Sequence, residues 1–323
     1  MSVESRFPDF LLVGAAKSGT TSLYSYLAQH PDVFLPDVKE PNYFAYKDSA
    51  LNVIGPKSEE ILVKLLLKKT VVSKDDYLNL YVSAKPDQLT GDCSPRYLYY
   101  KNAPDHIKAD CPDSKIIAIL RNPVARAYSH YLMNRQRDLE PAATFEKAIE
   151  LEEERKQRGW GWDWHYLSLG RYAEQLQRYY DRFPKQNILV VLHDEFVLEQ
   201  QSVIQKIYRF IGVDDSFVAD TNRQFKVAST VGAADGFLGR LVFATESTWL
   251  GALAIKIVPK KAGLWLQNTL RDMVSKKGGG RKIPPLSFET RMHCWSQLKD
   301  DVTKLEGLLG RDLSLWKPSQ SNN

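Results

Sequence analysis

The sequence predicts an α/β fold in which a parallel sheet is flanked by helices and carries a strand–loop–helix unit like that of phosphate-binding loops. Short, continuous apolar segments predict strands that are buried on both faces, as strands of parallel sheets are. Helical patterns separate these segments, and this alternation is typical of a doubly wound sheet. The predicted strands are Phe10–Val13, Lys115–Leu120 and Asn187–Leu192.

Each predicted strand leads into a turn or a helix. The first runs into a glycine-rich turn and then a helical pattern that places Leu23 and Leu27 on one face. The second is followed by Asn122, a residue type that caps helices, and by Pro123, which suits a first helical turn. Further helices are predicted over Ala142–Arg158, Tyr172–Phe183 and Phe288–Leu309.

The composition is that of a globular protein. The chain has 323 residues, of which 43% are hydrophobic and 26% are charged. We expect one domain over residues 1–317 and a disordered tail over 318–323. The net charge of +5 is mild, so it suits an anionic ligand and gives no reason to expect a nucleic-acid partner.

Cysteine and histidine spacing argues against disulfides and metals. The three cysteines, Cys93, Cys111 and Cys294, are widely separated and cannot form a complete disulfide framework. No group of histidine, cysteine or acidic residues has the spacing of a metal site. We therefore expect free thiols and no metal.

No segment of the sequence predicts a membrane span. The most hydrophobic later stretch, Phe237–Val258, is interrupted by charged residues, although contact with a membrane surface stays open. The apolar run Phe10–Val13 is too short for a signal peptide. A cytoplasmic location is expected if Met1 is the native start, whereas a trimmed chain would hide an anchor.

The segment Gly14–Thr21, GAAKSGTT, has the context of an anion site because it follows a predicted strand and opens a helix. A nucleotide-kinase loop would place lysine directly after the second glycine, whereas here Thr20 follows Gly19 and the lysine comes two residues before it. A kinase is therefore disfavoured. The residues expected to contact phosphate are Lys17, Ser18, Gly19, Thr20 and Thr21.

Several motifs, in order along the chain, resemble those of the sulfotransferases that use 3′-phosphoadenosine 5′-phosphosulfate (PAPS). Gly14–Leu23 resembles the 5′-phosphosulfate loop, and Ile119–Tyr131 is similar to the 3′-phosphate-binding strand and helix. Lys39–Phe44, KEPNYF, resembles a segment of the heparan-sulfate and related carbohydrate branch. Gly170–Tyr172 and Gly280–Arg281 match weaker patterns.

The resemblance implies an enzyme that transfers the sulfuryl group of PAPS to a hydroxyl or amine, with a carbohydrate as the favoured acceptor. PAPS would be a co-substrate and 3′,5′-bisphosphoadenosine (PAP) the product. Glu40 would be the base, and Lys17 would stabilise charge on the leaving phosphate. Arg121 and Ser129 would bind the 3′-phosphate, and Arg281 would cover it.

One departure from the branch bears on the acceptor. Cys93 stands where the heparan-type enzymes usually carry a lysine, so Arg96 or Lys39 would have to replace that lysine, or the acceptor differs.

Small-molecule sulfotransferases use a histidine as base. We expect His106 and His130 to be structural instead, in a helix and in packing.

Other interpretations stay open on the sequence alone. The aromatic segment Trp160–Tyr166 could be a platform for an acceptor or part of the core. The protein could act on a small molecule such as a lipid, alkaloid or toxin. A nucleotide kinase and a catalytically silent nucleotide-binding protein are the remaining alternatives.

Overall fold

The computed structural model describes residues 6–221, 230–231, 281–282 and 285–320. The hydrophobic stretch Phe237–Val258 and the end of the expected tail, 321–323, lie outside the described residues. No helix in the described ranges is both long and apolar enough to cross a membrane. The prediction of one domain over 1–317 stays a prediction.

The chain divides into two compact units. The first comprises Met1–Tyr131, Glu140–Phe225 and Ser287–Asn323, and the second comprises Leu132–Leu139 and Lys226–Leu286. In the second unit, a short antiparallel pair joins Thr230–Val231 to Arg281–Lys282. The five-stranded sheet lies in the first unit.

All five strands of that sheet are parallel. Their order across the sheet is Val33–Phe34, Leu89–Cys93, Phe10–Gly14, Lys115–Leu120 and Ile188–Leu192. The predicted α/β class is therefore confirmed. The strands of the structure are β1 (Phe10–Gly14), β2 (Val33–Phe34), β3 (Leu89–Cys93), β4 (Lys115–Leu120), β5 (Ile188–Leu192), β6 (Thr230–Val231) and β7 (Arg281–Lys282).

Helices connect these strands, and the described ones run as follows. They are α1 (Thr20–Leu27), α2 (Tyr43–Tyr46), α3 (Glu59–Leu66), α4 (Lys74–Asn79), α5 (Ala103–Asp110), α6 (Pro123–Gln136), α7 (Phe145–Glu150), α8 (Glu152–Gln157), α9 (Tyr172–Tyr180), α10 (His193–Leu198), α11 (Gln200–Ile211) and α12 (Phe288–Leu309). The single helix expected over Ala142–Arg158 is two helices, α7 and α8, that meet at Leu151.

Side chains that alternate along the strands enter two cores, one on each face of the sheet. Helices α5, α9 and α12 cover the face that contains Leu11 and Ile116, and α1 and α11 cover the face that contains Leu12 and Ile117. This burial on both faces explains why β1, β4 and β5 are continuous apolar runs. The carboxyl ends of the strands share one edge, where ligand sites of open parallel sheets form.

Candidate active site

The phosphate loop connects β1 to α1 at that edge. A Cβ atom on Gly14 would lie 2.6 Å from Leu98 Cβ, so only glycine allows this close approach. Gly19 precedes α1 with a φ of 97°, and Lys17 also has a left-handed φ of 68°. The loop is tied to the neighbouring strand because Ala15 N donates to the carbonyl of Ile119 over 2.8 Å.

The residues of the loop fit an anionic group. Ser18 is fully buried, and its hydroxyl has no partner of hydrogen-bond geometry in the described part of the chain. The Tyr172 hydroxyl lies close to the Ser18 hydroxyl, but it donates its own hydrogen to the Arg121 carbonyl over 3.0 Å. Phosphate oxygens would satisfy an orphaned hydroxyl next to the positive end of α1.

Lys39 joins the predicted base to this loop. Its Nζ atom lies 2.6 Å from Glu40 Oε1 and 3.1 Å from Thr21 Oγ1, so it contacts both groups at once. The Glu40 side chain is 40% exposed, which leaves its carboxylate accessible to a substrate. The structure thus brings Glu40 together with the phosphate loop, from a segment about 20 residues further along the chain.

Arg121 lies where β4 ends and reaches the same loop. Its Nη1 atom donates to the Lys17 carbonyl over 3.2 Å, and burial lowers the pKa of the guanidinium. Asn122 caps α6 as expected, since its Oδ1 accepts from the amides of Val124 (3.0 Å) and Ala125 (3.1 Å). Ser129 follows on α6 and is half-buried.

Arg281 is placed only by its backbone. It pairs with Val231 in the antiparallel β6–β7 ladder, and its side chain lies outside what the structure describes. Gly280, which precedes it in the matched pattern, lies outside the described residues.

The structure separates the two cations considered as replacements for the lysine of the heparan-type enzymes. Arg96 is buried, forms an ion pair with Asp163 at 3.4 Å and stacks over Trp162 at 4.4 Å, so it is committed to the interior. Of the two, Lys39 is the one that contacts the loop, at Thr21. Cys93 is buried, and burial raises the pKa of its thiol, which disfavours a nucleophilic role.

The other candidates have structural surroundings. His106 lies on α5, and its Nδ1 pairs with the Phe44 carbonyl at 2.9 Å. His130 is buried against Tyr166 and Trp162, so the aromatic segment contributes to packing rather than forming an open platform. The three cysteines are free and buried, as expected.

Sequence reasoning missed one buried carboxylate next to the site. Asp92 lies in β3 and is fully buried, and burial raises its pKa to about 6. Its neighbours in the strand, the polar Thr90 and the small Gly91, interrupt the apolar pattern, so neither the strand nor its carboxylate was predicted. One indication of it was present in the sequence, since Asp92 shortly precedes Ser94 and Pro95 in an otherwise uncharged segment.

Comparisons with known proteins agree with this fold. Human bifunctional heparan sulfate N-deacetylase/N-sulfotransferase 3 is 25% identical over 321 residues, which cover 96% of this chain and 31% of the relative. Enzyme 1 of that name from Xenopus laevis is 26% identical over 330 residues, covering 98% and 32%. The chain therefore spans about a third of the length of these curated relatives.

A solved structure covers almost the same length. The crystal structure of a sulfotransferase from Alicyclobacillus acidocaldarius matches with a TM-score of 0.71 and 28% identity, covering 96% of this chain and 98% of that one. Residues 7–230 match the sulfotransferase domain family. This match covers more than half of the chain and includes the phosphate loop, Glu40 and Arg121, so the chain belongs to the sulfotransferase domain family.

Proposed function

We propose that this protein transfers the sulfuryl group of PAPS to a hydroxyl or amine of an acceptor, with Glu40 as the base. The observation that carries the proposal is the position of Lys39, whose ammonium contacts the phosphate loop at Thr21 and the carboxylate of Glu40 together. A base has to lie within reach of the attacking group, and that group has to approach the sulfur held at the loop.

The loop would hold the 5′-phosphosulfate end of PAPS. Lys17 supplies a point charge, and the buried hydroxyl of Ser18 and those of Thr20 and Thr21 supply donors at the positive end of α1. Because these groups are already oriented by the backbone, they stabilise charge that develops on the leaving phosphate without a large reorganisation. Lys17 therefore serves both binding and catalysis.

Arg121 and Ser129 would hold the 3′-phosphate, with Arg281 covering it. Within the described part of the chain the half-buried guanidinium of Arg121 donates one hydrogen bond, to Lys17 O, and a guanidinium has further donors for a phosphate. Ser129 lies about two turns along α6, the helix that follows Arg121, and would add a hydroxyl donor.

The reaction would be an in-line displacement at sulfur. The acceptor oxygen or nitrogen forms a new bond to sulfur while the bond from sulfur to the phosphate oxygen breaks. The bonding electrons stay on the leaving phosphate of PAP, near Lys17, and the acceptor proton passes to Glu40. These changes balance without an oxidant or reductant.

A carbohydrate is the favoured acceptor. Curated relatives that match nearly all of this chain are named for heparan sulfate N-sulfotransferase activity. The cysteine at position 93 weighs against a strongly anionic glycan, whereas Lys39 offers a cation at the loop that an anionic group of a sugar could meet. A small-molecule acceptor is the second candidate, since the loop and Glu40 would serve it equally.

The test is transfer of label from radioactive PAPS to a panel of acceptors. The panel contains a de-N-acetylated heparan precursor, its fully N-acetylated form and a set of small phenols, alcohols and amines. Label on a glycan supports the proposal, and the N-acetylated form separates amine from hydroxyl sulfation. Label only on small molecules moves the enzyme to the second candidate. Absence of turnover with retained PAP binding indicates a silent nucleotide-binding protein, and phosphate transfer from ATP indicates a kinase.

A further inference from the structure

Asp92 lies in a buried position that is energetically unfavourable for an ionised carboxylate. It is fully buried in β3 next to the rings of Tyr77 and Tyr97, and an ionised carboxylate in apolar surroundings is unfavourable unless it is hydrogen-bonded. Three hydroxyls satisfy it. Ser94 donates over 2.6 Å, and Tyr77 and Tyr97 donate over 2.7 Å each.

Two of these hydroxyls continue to the segment that follows Glu40. Each of these two hydroxyls donates its hydrogen to Asp92, so the lone pairs of the hydroxyl oxygen can accept a further hydrogen bond. Ser94 Oγ accepts from the amide of Asn42 at 3.1 Å, and the Tyr97 oxygen accepts from the amide of Phe44 at 3.4 Å. Asp92 thereby fixes the direction of both hydrogen bonds.

That segment needs such support. Glu40 and Asn42 have left-handed φ values of 62° and 54°, although neither is glycine, and Pro41 lies between them. Such conformations persist where the surrounding structure over-determines them. The Asn42 side chain adds a third contact, since its Nδ2 donates to the Glu40 carbonyl over 2.8 Å.

We propose that Asp92 is a positioning residue for Glu40, acting through Ser94 and Tyr97 on the turn that carries the Glu40 carboxylate. This inference rests on the proposed role of Glu40 as the base. Asp92 itself would not touch the substrate. Its charge orients two hydroxyls, these hold Asn42 and Phe44, and Asn42 holds the backbone of Glu40.

The test is a double-mutant cycle between Asp92→Asn and Glu40→Gln, with turnover and PAP affinity measured for each variant. With Glu40 present, we expect Asp92→Asn to lower kcat by about tenfold to a hundredfold, because small misplacements of a reacting group have effects of this size. PAP affinity should change by less than about twofold. In the Glu40→Gln background, Asp92→Asn should lower kcat by less than about twofold, since the group it positions is already lost.

A milder variant and a matched control keep the test decisive. Ser94→Ala removes one hydroxyl of the relay and should reproduce the pattern if Asp92→Asn does not fold. Tyr81→Phe removes a hydroxyl that donates to Tyr77 over 3.2 Å, in the same buried cluster but outside the relay, and should leave kcat unchanged.

The outcomes separate this inference from the proposed function. If Glu40→Gln keeps the wild-type kcat, the base assignment fails and the positioning role falls with it. If Glu40→Gln is slow but the loss from Asp92→Asn is undiminished in that background, only the positioning role is overturned. A loss of PAP affinity that matches the loss of kcat also overturns it, because Asp92 would then support the whole site.

Discussion

Arg121 Nη1 donates a hydrogen bond of 3.2 Å to the backbone carbonyl of Lys17, so the arginine at the end of β4 is tied directly to the phosphate loop. Lys17 itself has a left-handed φ of 68°, and this contact is one of those that hold it there. The two cations assigned to opposite ends of PAPS are therefore not independent, and variants at either position should be interpreted with both ends in view.

Lys17→Ala should weaken PAP binding and slow transfer together. A charged hydrogen bond to phosphate contributes about 1.5–3 kcal/mol, which corresponds to about a tenfold to a hundredfold loss of affinity. Calorimetric titration with PAP and steady-state turnover provide the two measurements. Lys185→Ala is the control, because this exposed lysine precedes β5, at the opposite edge of the sheet. Wild-type turnover in Lys17→Ala would remove the loop from the mechanism.

Arg121→Ala should reduce the preference for PAPS over adenosine 5′-phosphosulfate, which lacks the 3′-phosphate. The preference should fall about tenfold to a hundredfold, and Ser129→Ala should reduce it less, because a neutral donor contributes less than a charged one. Since Arg121 also supports Lys17, affinity for both nucleotides should fall somewhat, and the ratio of the two affinities is the informative quantity. An unchanged ratio would contradict 3′-phosphate recognition by these residues.

Asp163→Ala should destabilise the fold rather than change nucleotide binding. It leaves Arg96 buried without its carboxylate partner, and breaking a buried ion pair in this way costs about 3–5 kcal/mol. Urea unfolding measures the loss. Glu150→Ala is the matched control, since its ion pair with Lys147 is exposed and should contribute less than about 1 kcal/mol. Equal effects of the two variants would mean that Arg96 finds other compensation.

The sequence predicted the elements whose signals are local. Strands β1, β4 and β5 were predicted because both of their faces are buried and their residues are continuously apolar, and the bounds of α12 were predicted at both ends. Strand β3 was missed because its Thr90, Gly91 and Asp92 are polar or small. Hydroxyls from other segments satisfy Asp92, and no local pattern shows that.

In the candidate site, too, local features could be predicted from the sequence and contacts between distant residues could not. The phosphate loop was recognisable because its glycines and hydroxyls are adjacent in sequence. The contact of Lys39 with Thr21 joins residues 18 positions apart, and the pairing of Arg96 with Asp163 joins residues 67 positions apart. The sequence therefore left Lys39 and Arg96 as equal candidates, and only the structure separates them.

Stability should depend on pH through Asp92. Burial raises its pKa to about 6 in the folded chain, from 3.8 as the ordinary value. The folded state therefore binds the proton more tightly than the unfolded state, so this group favours folding at low pH, and the benefit is lost as pH rises through about 6. The full difference corresponds to about 3 kcal/mol, of which about 1 kcal/mol should appear between about pH 7 and pH 5.

The measurement compares urea unfolding of the wild type with that of Asp92→Asn at these two pH values. The unfolding free energy of the wild type should rise more, or fall less, on acidification than that of the variant, by about 1 kcal/mol. Taking the difference removes the contribution of every other titrating group. Parallel pH dependences in the two proteins would mean that Asp92 titrates in the folded chain as it does in the unfolded one.

Glu40→Gln should lower kcat while nucleotide affinity barely changes. Glutamine keeps the size of glutamate and can still accept a hydrogen bond from Lys39, but it cannot take a proton at neutral pH, so kcat should fall by about 10²–10⁴-fold. Turnover and PAP titration are measured together, with thermal unfolding to show that the variant is folded. Glu150→Gln removes the charge of another glutamate that pairs with a lysine and should leave kcat unchanged.

The pH dependence of the wild-type rate provides a second test, and it depends on the acceptor. If the acceptor is an amine, it has to lose a proton before it attacks sulfur, so the wild-type rate should rise with pH towards the pKa of that amine. If Glu40→Gln keeps near-wild-type turnover and His106→Ala is inactive, the base is His106 on α5 and not the carboxylate of Glu40. The protein would then be assigned to the small-molecule branch, because enzymes of that branch use a histidine as base. His106, which contacts the Phe44 carbonyl, would have a catalytic role besides its structural one.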